Sequence, residues 1–343
     1  MVFFKYIIIL YKYNIVCRFG VGENIMSNEI KEKSTTATEP ESAVKDTADT
    51  KKKKRRRRFG DRNDGRKLRT MIPLNRIMPY IMARRSDAQN MFDDSFDVAK
   101  TDAFCRQKVK EGYKNFSFLH VLLAAYVRML SQHPEINRFI SGQKVYARNT
   151  IEVVMVVKKE MYSDSPETCI KVEFSPYDTI DDVYEKFNAT VESVVGETEA
   201  SSFDKLAKLI NYIPGLLLRW TVKLLNFLDY FGLLPRALTR LSPFHGSFIV
   251  TSMGSLGIKP IYHHIYDFGN LPVFIAYGKR RRENIIDDDG NVVTRRIVDM
   301  KVVTDERICD GYYFANAFKT LKRNVEDPER LTVPPKEVIE DID

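Results

Sequence analysis

The chain has 343 residues, of which 44% are hydrophobic and 11% aromatic, so it can form a packed core and is not a wholly disordered protein. Its net charge of +8 is local, because the stretch from Lys51 to Arg69 holds twelve Lys or Arg and only two Asp. The remainder is close to neutral, which argues against a basic folded face that reads nucleic-acid sequence.

The N-terminal 67 residues are expected to form a disordered extension, because residues 27–58 are polar and nearly free of large apolar side chains. Residues 1–25 are apolar but interrupted by lysines, and we interpret them as the product of an upstream start choice, with a weak membrane anchor as the alternative. The basic run Lys51–Arg58 has two interpretations: a solvated tether, or a contact with an anionic polymer or membrane surface.

The four cysteines are scattered along the chain, and no two of them have the spacing of metal ligands. Neither a disulfide framework nor a metal site is therefore expected. The cysteine usage favours the reducing cytoplasm as the location of the protein.

Alternation of helix-like and strand-like patterns predicts a folded domain from residue 68 to residue 332, followed by an acidic tail at 333–343. The predicted helices cover 74–91 with an interruption at Pro79, 101–112, 116–133, 180–195 and 311–324. The predicted strands cover 92–99, two runs within 144–158, 170–174, 247–252, 273–277, 282–286 and 292–303. A hairpin turn is expected at 288–291. Such a pattern predicts an α/β fold, an α+β sandwich in which helices cover one face of a mixed sheet.

Residues 206–238 form an unusually apolar segment that we interpret as a helical insertion. Beyond Pro214, polar side chains recur in one narrow stripe, and most of the large apolar ones lie on the other side. A buried or subunit-contact helix is one interpretation. A helix that faces lipid or binds an acyl chain is the other.

The run Asp305-Glu306-Arg307-Ile308-Cys309-Asp310-Gly311 resembles the D-H-R-x-x-D-G signature of the dihydrolipoyl acyltransferase core of 2-oxoacid dehydrogenase complexes. It also resembles the H-x-x-x-D-G signature of chloramphenicol acetyltransferase. The resemblance continues at His133–Asn137, which is similar to a helix end of the family, at Thr251–Gly254, and at Glu326–Leu331. A chloramphenicol acetyltransferase-like fold is implied.

Membership of this superfamily implies a homotrimer with active sites in channels between subunits. Coenzyme A or an acyl-CoA would enter such a channel as substrate, and the acyl acceptor would come from the other end. The chain shows no lipoyl domain, so a lipoyl acceptor would have to arrive on another protein.

The same resemblance assigns roles to individual residues. Thr251 corresponds to the hydroxyl that donates a hydrogen bond to the oxyanion, with Ser252 beside it. In the family the residue at Asp310 holds its loop through an Arg, and the Gly at 311 permits a tight helix start. Arg307 matches as a scaffold residue. The Arg that would pair with Asp310 is missing from its usual place in the first helix, and Arg76 is the nearest substitute.

Glu306 occupies the position of the general-base His. A carboxylate is a weaker base than an imidazole, and removing a proton from a thiol then costs about 3 kcal/mol more. Burial of a carboxylate can recover part of this difference. Two other histidines are secondary candidates for the base: His264, in a His-His pair, and His245, just before the Thr251 strand.

Two hypotheses on function remain open. One is a CoA-thioester-dependent acyltransferase that uses Glu306 and Thr251. The other is a non-catalytic trimeric scaffold or ligand-binding protein that has lost the histidine, with peripheral membrane association as a further option.

Overall fold

The computed structural model describes residues 57–158, 167–195, 212–287 and 289–343. Most of the expected N-terminal extension and the first residues of the expected insertion, 206–211, lie outside the described residues. Within the described part, strands and helices form one mixed α/β unit with two sheets, so the predicted fold class is confirmed.

The described strands form a larger sheet of six and a smaller sheet of three. In chain order they are β1 (Gly65–Lys67), β2 (Gln89–Asp97), β3 (Arg138–Ser141), β4 (Lys144–Arg148), β5 (Ile151–Lys158), β6 (Glu167–Phe174), β7 (Phe248–Ser252), β8 (Val273–Ile286) and β9 (Val292–Asp305). The larger sheet has the order β2-β9-β8-β7-β5-β6 and the smaller one β1-β4-β3.

The described α-helices mostly coincide with the helical patterns of the sequence. They are α1 (Pro73–Ile81), α2 (Ala99–Lys110), α3 (Phe118–Gln132), α4 (Ile180–Val195), α5 (Gly215–Tyr230), α6 (Arg236–Leu241) and α7 (Gly311–Glu326). No helix in the described part of the chain is both long enough and apolar enough to cross a membrane.

The larger sheet is mixed because β7 runs parallel to both of its neighbours, β5 and β8, whereas the remaining pairs are antiparallel. The strands β8 and β9 form a long hairpin that closes at residues 287–291, as the Asp-Gly-Asn turn predicts. The two expected strands at 273–277 and 282–286 are therefore one strand, with an irregularity between Tyr277 and Arg280.

The two faces of the larger sheet are covered differently. Alternate side chains of its strands join those of α2, α3, α4 and α7 in one continuous apolar core. The opposite face carries a small separate cluster in which Ile265 and Leu271, from the loop before β8, cover Ile249, Phe274 and Val303. Helices thus cover one face of the sheet, as predicted.

The centre of the core is α3, whose side chains from Phe118 to Ser131 are nearly all buried. It begins with a capping box, in which Ser117 and His120 satisfy each other's backbone N–H groups. Its middle residue Tyr126 is fully buried against Phe248, with 3.7 Å between the ring centres.

The folded part begins before residue 68, which corrects the expected domain boundary. Strand β1 pairs with β4, and the guanidinium of Arg62 binds Asp64 on its own segment and Asp229 at the end of α5. The acidic tail is also anchored, because Asp341 pairs with the buried Arg138 at 2.5 Å. Ion pairs and strand pairing thus give a defined structure to both segments, although their composition alone predicts disorder.

The first predicted helix ends ten residues early, at Ile81, and β2 begins at Gln89 where that helix was expected to continue. The reason is the pairing of Gln89–Asp97 with Asp305–Ile297, which gives this edge strand backbone partners along one side. The short connection carries Arg85, which is buried.

A buried cluster of charges fixes the end of β9. The fully buried carboxylate of Asp305 accepts two hydrogen bonds of 2.7 Å from the guanidinium of Arg307, and Nε of Arg85 lies 3.4 Å from it. Both arginines also donate to backbone carbonyls, Arg307 to Met82 and Arg85 to the loop at 266–269 and to Ile140. One carboxylate thereby joins the ends of three chain segments.

The hydroxyl of Tyr126 is buried and has no hydrogen-bond partner among the described residues, so Tyr126→Phe should keep or raise the free energy of unfolding, by up to about 1 kcal/mol. Tyr126→Ala, which removes the ring as well, should lower it by about 3–5 kcal/mol. Urea denaturation measures both variants. A loss of more than about 1 kcal/mol in Tyr126→Phe would show that the hydroxyl is bonded.

Substituting Asp305→Asn leaves two buried guanidinium groups without a counter-charge, and it should lower the free energy of unfolding by about 3–5 kcal/mol. The matched control is Asp93→Asn, which breaks an exposed pair with Lys301 and should leave stability close to that of the wild type. Equal effects of the two substitutions in urea denaturation would contradict the role assigned to the cluster.

Candidate functional site

Glu306 directly follows β9 and is held in place by its backbone. Its N–H donates to the carbonyl of Ala88 at 2.9 Å, and the flanking residues Asp305 and Arg307 belong to the buried charge cluster. The side chain is half-buried, and its carboxylate makes no hydrogen bond or ion pair with another described residue. Because its backbone is fixed and its carboxylate has no partner among the described residues, Glu306 is available to bind a ligand.

Asp310 does not hold its loop through an arginine, which corrects that expectation. Its side chain is the N-cap of α7 and accepts a hydrogen bond from the N–H of Tyr313 at 2.8 Å. Among the described ion pairs none includes Asp310 or Arg76, and the arginines that brace the loop are Arg85 and Arg307, through Asp305. The family role of the Asp–Arg pair is thus filled by a different carboxylate.

Gly311 is not required by the local backbone either. Its φ is not positive, and a Cβ added at this position would meet no other atom within 4 Å. Gly311 instead borders an open cavity of about 470 Å³ between β2 and α7, lined also by Phe314, Phe318 and Thr304. The hydroxyl of Thr304 is buried and has no hydrogen-bond partner in the described chain.

Thr251 and Ser252 lie at the C-terminal end of β7, where two glycines allow a close approach. A Cβ on Gly254 would lie 2.8 Å from the carbonyl oxygen of Gly278, and one on Gly278 would lie 2.4 Å from Pro260. The hydroxyl of Ser252 accepts from the N–H of Ser255. That of Thr251 has no partner among the described residues, so Thr251 is the better placed of the two to donate to a ligand.

Thr251 and Glu306 lie at opposite ends of the sheet within one chain. Thr251 pairs with Ala276, which pairs with Lys301 of β9, whereas Asp305 lies four residues further along β9. Four residues correspond to about 13 Å along a strand and two strand spacings to about 10 Å across the sheet. The Cα atoms of Thr251 and Asp305 are therefore about 16 Å apart. A single copy of the chain does not bring the two side chains together.

His264 lies on the loop that packs at the Glu306 end of the sheet. The neighbouring carbonyl of Ile265 accepts a hydrogen bond from the side chain of Gln89, which pairs with Asp305. His264 itself is exposed and contacts Tyr266, at 5.2 Å between ring centres. It thus shares a region with Glu306 despite lying some forty residues before it in the sequence.

His245 is buried, and its contacts include neither Thr251 nor Glu306. Its Nδ1 lies 2.8 Å from the hydroxyl of Ser242, and its Nε2 lies 3.8 Å from the carboxylate of Asp229. Burial lowers the pKa of His245, which favours the neutral imidazole. Although burial opposes it, the proximity of His245 and Arg62 holds the pKa of Asp229 below its usual range. The contacts of His245 are those of a structural residue.

A second cavity, of about 330 Å³, borders Asp229 and the loop residues Asp267 and Gly269. It is lined by Arg84, Arg85 and Arg307 on one side and by Asn226 and Tyr230 of α5 on the other. In the described part of the chain, no group of three His, Cys, Asp or Glu side chains is placed to hold a metal ion.

Sequence reasoning missed Arg85 and Thr304. Arg85 lies in a segment that was predicted as helix, and no local pattern indicates that its guanidinium reaches Asp305, 220 residues later. Thr304 reads as an ordinary strand residue, and only the packed structure shows its unpaired hydroxyl.

A family model described as "2-oxoacid dehydrogenases acyltransferase (catalytic domain)" matches residues 238–333. That segment contains Thr251, the whole β8–β9 hairpin, Glu306 and α7. No curated protein sequence matches the chain significantly.

Several solved structures resemble the chain weakly. A probable dihydrolipoamide acetyltransferase from Listeria monocytogenes 4b F2365 has 16% identity, covers 75% of this chain and 94% of its own, and has a TM-score of 0.47. A truncated catalytic core of the 2-oxoacid dehydrogenase multienzyme complex from Thermoplasma acidophilum has 13% identity, coverages of 77% and 99%, and a TM-score of 0.46. A chloramphenicol acetyltransferase has 12% identity, coverages of 74% and 94%, and a TM-score of 0.43. At these values the likeness says nothing about substrate or activity.

The segment that the family model matches contains the motif around Glu306, and the model and the motif indicate the same superfamily. The resemblance to the acyltransferase catalytic domain of the 2-oxoacid dehydrogenase superfamily, which the sequence predicts, is therefore confirmed, and residues 238–333 are the part of the chain that the family model matches.

Proposed function

We propose that this chain is a CoA-thioester-dependent acyltransferase that acts as a homotrimer, with each active site formed by Glu306 of one copy and Thr251 of the next. The observation that carries the proposal is the separation of about 16 Å between the ends of the sheet that hold these two residues. Neither side chain has a partner among the residues that the structure describes, so each is free to face a neighbour.

The proposed reaction needs two groups. Glu306 takes the proton from the thiol of the acceptor, and the sulfur attacks the carbonyl carbon of the acyl thioester. The hydroxyl of Thr251 donates a hydrogen bond to the oxygen of the tetrahedral intermediate. When the intermediate collapses, the carbon–sulfur bond to coenzyme A breaks, and the departing thiolate recovers the proton from Glu306. The acyl group leaves on the acceptor.

The surroundings of each residue suit this role. The guanidinium groups of Arg307 and Arg85 bind the side chain of Asp305, the residue before Glu306, so Glu306 is positioned without being neutralised by a direct ion pair. At the Thr251 end, Lys259 and Lys279 are exposed on adjacent segments that are joined by a hydrogen bond from Lys279 N–H to the carbonyl of Ile258. Two cations there would attract the phosphates of coenzyme A.

A second candidate function is a non-catalytic trimeric scaffold or ligand-binding protein. The replacement of the family's histidine by Glu306 favours it, because the weaker base adds about 3 kcal/mol to proton transfer from a thiol, or roughly a hundredfold in rate. Both candidates place the protein in the cytoplasm, as the cysteine usage predicts.

A thiol-release assay with a panel of acyl-CoA substrates separates the two candidates. If Glu306 is the base, Glu306→Ala should lose about a hundredfold or more of the turnover, and Glu306→His should match or exceed the wild type. His264→Ala is the matched control for a neighbouring base and should keep the wild-type rate. If neither the wild type nor Glu306→Ala shows turnover, and Glu306→His gains it, the result would favour the non-catalytic scaffold instead.

Mixing two inactive variants tests where the site is formed. Glu306→Ala and Thr251→Ala each remove one half of the site, but hybrid trimers contain interfaces in which intact halves meet. With random assembly, about one quarter of the interfaces should be intact, so co-expressed chains should recover about a quarter of the wild-type activity. Sedimentation of the hybrids checks that they are trimers. No recovery from properly assembled hybrids would show that the two residues do not share a site across an interface.

A further inference from the structure

The apolar stripe of α5 faces away from the protein. Large side chains that recur at helical spacing along it are between 57% and 62% exposed: Leu217, Trp220, Leu224, Phe227 and Phe231. In an ordinary surface helix such a stripe packs against the core and the polar side faces water. Monomeric proteins rarely expose an apolar surface of this extent without a partner for it.

The orientation of α5 is imposed by contacts at its inner side. Asp229 is buried, and its carboxylate and carbonyl oxygens both accept hydrogen bonds of 2.6 Å from Arg62. The hydroxyl of Ser141 donates to the same carbonyl at 3.0 Å, and Tyr230 reaches Gln143 in the adjacent turn. The helix is thus tied to the smaller sheet through its few polar groups, which leaves the apolar stripe outside.

The exposed stripe has a positively charged border. Arg219 and Lys223 lie on the helix beside it, and the ammonium group of Lys223 lies 5.1 Å from the centre of the Trp220 ring. Arg236 and Arg240 follow on α6, also exposed. Between residues 212 and 241 the single acidic residue is Asp229, and its charge is already paired with Arg62.

Two more cations of the described chain lie close by. Arg57 and Arg58 are exposed, and Arg58 comes only four residues before Arg62, which binds the end of α5. Four extended residues span at most about 14 Å, so Arg58 lies near that end of the helix. A second copy of this chain would bring the same cations against one another if the two faces paired symmetrically.

We propose that the exposed face of α5, with the cations around it, binds the surface of an anionic lipid membrane. Interfacial helices have this construction: an apolar side with Trp, Phe and Leu, a border of Lys and Arg, and the axis parallel to the membrane plane. Trp220 and Tyr230 suit the headgroup region, where amphipathic aromatic rings accumulate. The described cations around the stripe supply attraction to acidic headgroups, and the stripe supplies burial. This inference does not depend on the acyltransferase activity.

The sequence provides its own reporter, because Trp220 is the one tryptophan of the chain. The full-length protein is titrated with vesicles made of equal parts of phosphatidylglycerol and phosphatidylcholine, and binding is followed by co-sedimentation and by tryptophan emission. A shift of the emission to shorter wavelength is expected with these vesicles and not with pure phosphatidylcholine, and about 0.5 M salt should weaken it. Sedimentation without a shift would mean binding through the basic run alone, and it would overturn the proposal.

Two matched variants separate the stripe from general charge effects. Leu217→Glu combined with Leu224→Glu places acidic groups on the stripe, and we expect at least a tenfold loss of vesicle affinity. The control is Ile286→Glu combined with Val292→Glu, which adds the same charge at two highly exposed positions of the β8–β9 hairpin and should change affinity by no more than about twofold. Circular dichroism confirms that both variants are folded.

Other outcomes would identify a different partner for the exposed face of α5. If the Trp220 emission shifts with protein concentration alone, in step with an increase in mass, then the face pairs with a second copy. If heparin produces the same shift as the vesicles, the partner is a soluble polyanion. Equal vesicle affinities of the stripe variant and its control would also overturn the proposal.

Discussion

The carboxylate of Asp305 is the constraint on which the candidate site depends. It is fully buried, and it holds two arginines that between them bind the carbonyl of Met82 after α1, the carbonyl of Ile140 in β3 and the loop before β8. A buried charge of this kind has to be compensated completely, since loss of one partner leaves another stranded in the core. The positions of Glu306, of the His264 loop and of the start of α7 all follow from this one junction. Both arginines are engaged by Asp305 and by carbonyls, so they serve the geometry of the site more than its charge.

The candidate site and the exposed helix α5 differ in the kind of surface that each leaves uncovered. Glu306 and Thr251 each present an unpaired polar group at one end of a rigid sheet, which suits chemistry that needs fixed positions. The stripe of α5 presents unpaired apolar surface on a helix that is tied down by a few polar contacts. Both features are incomplete in a single copy of the protein. The candidate site lacks a second polar group, and the stripe of α5 lacks an apolar environment.

Much of the fold follows from local pattern. The bounds of α4 agree with the prediction, and the Asp-Gly-Asn turn is where the β8–β9 hairpin closes. The sequence-based prediction was wrong at residues 82–91, because pairing with β9 outweighs the helical pattern there. It was also wrong at residues 57–67, because Arg62 pairs with the carboxylate of Asp229, which is distant in sequence. For α5, an amphipathic pattern predicts that two different faces exist. It does not predict which of them the protein covers, since that depends on contacts such as Arg62 with Asp229. The motif identified Glu306, but its separation from Thr251 required the register of the sheet.

The long hairpin has a consequence for the dynamics of the protein. Among the described residues, 292–295 of β9 pair only with β8. The β2 side ends where the N–H of Val98 donates to Arg296, and the tips of both hairpin strands are exposed. An isolated two-stranded ribbon is only marginally stable in water. We therefore expect the outer half of the hairpin to open locally. Its amide protons should exchange with solvent through fraying, whereas those near Val302 should exchange only on global unfolding. Because the open strands expose unpaired backbone groups, this arm is also where another strand could add to the protein.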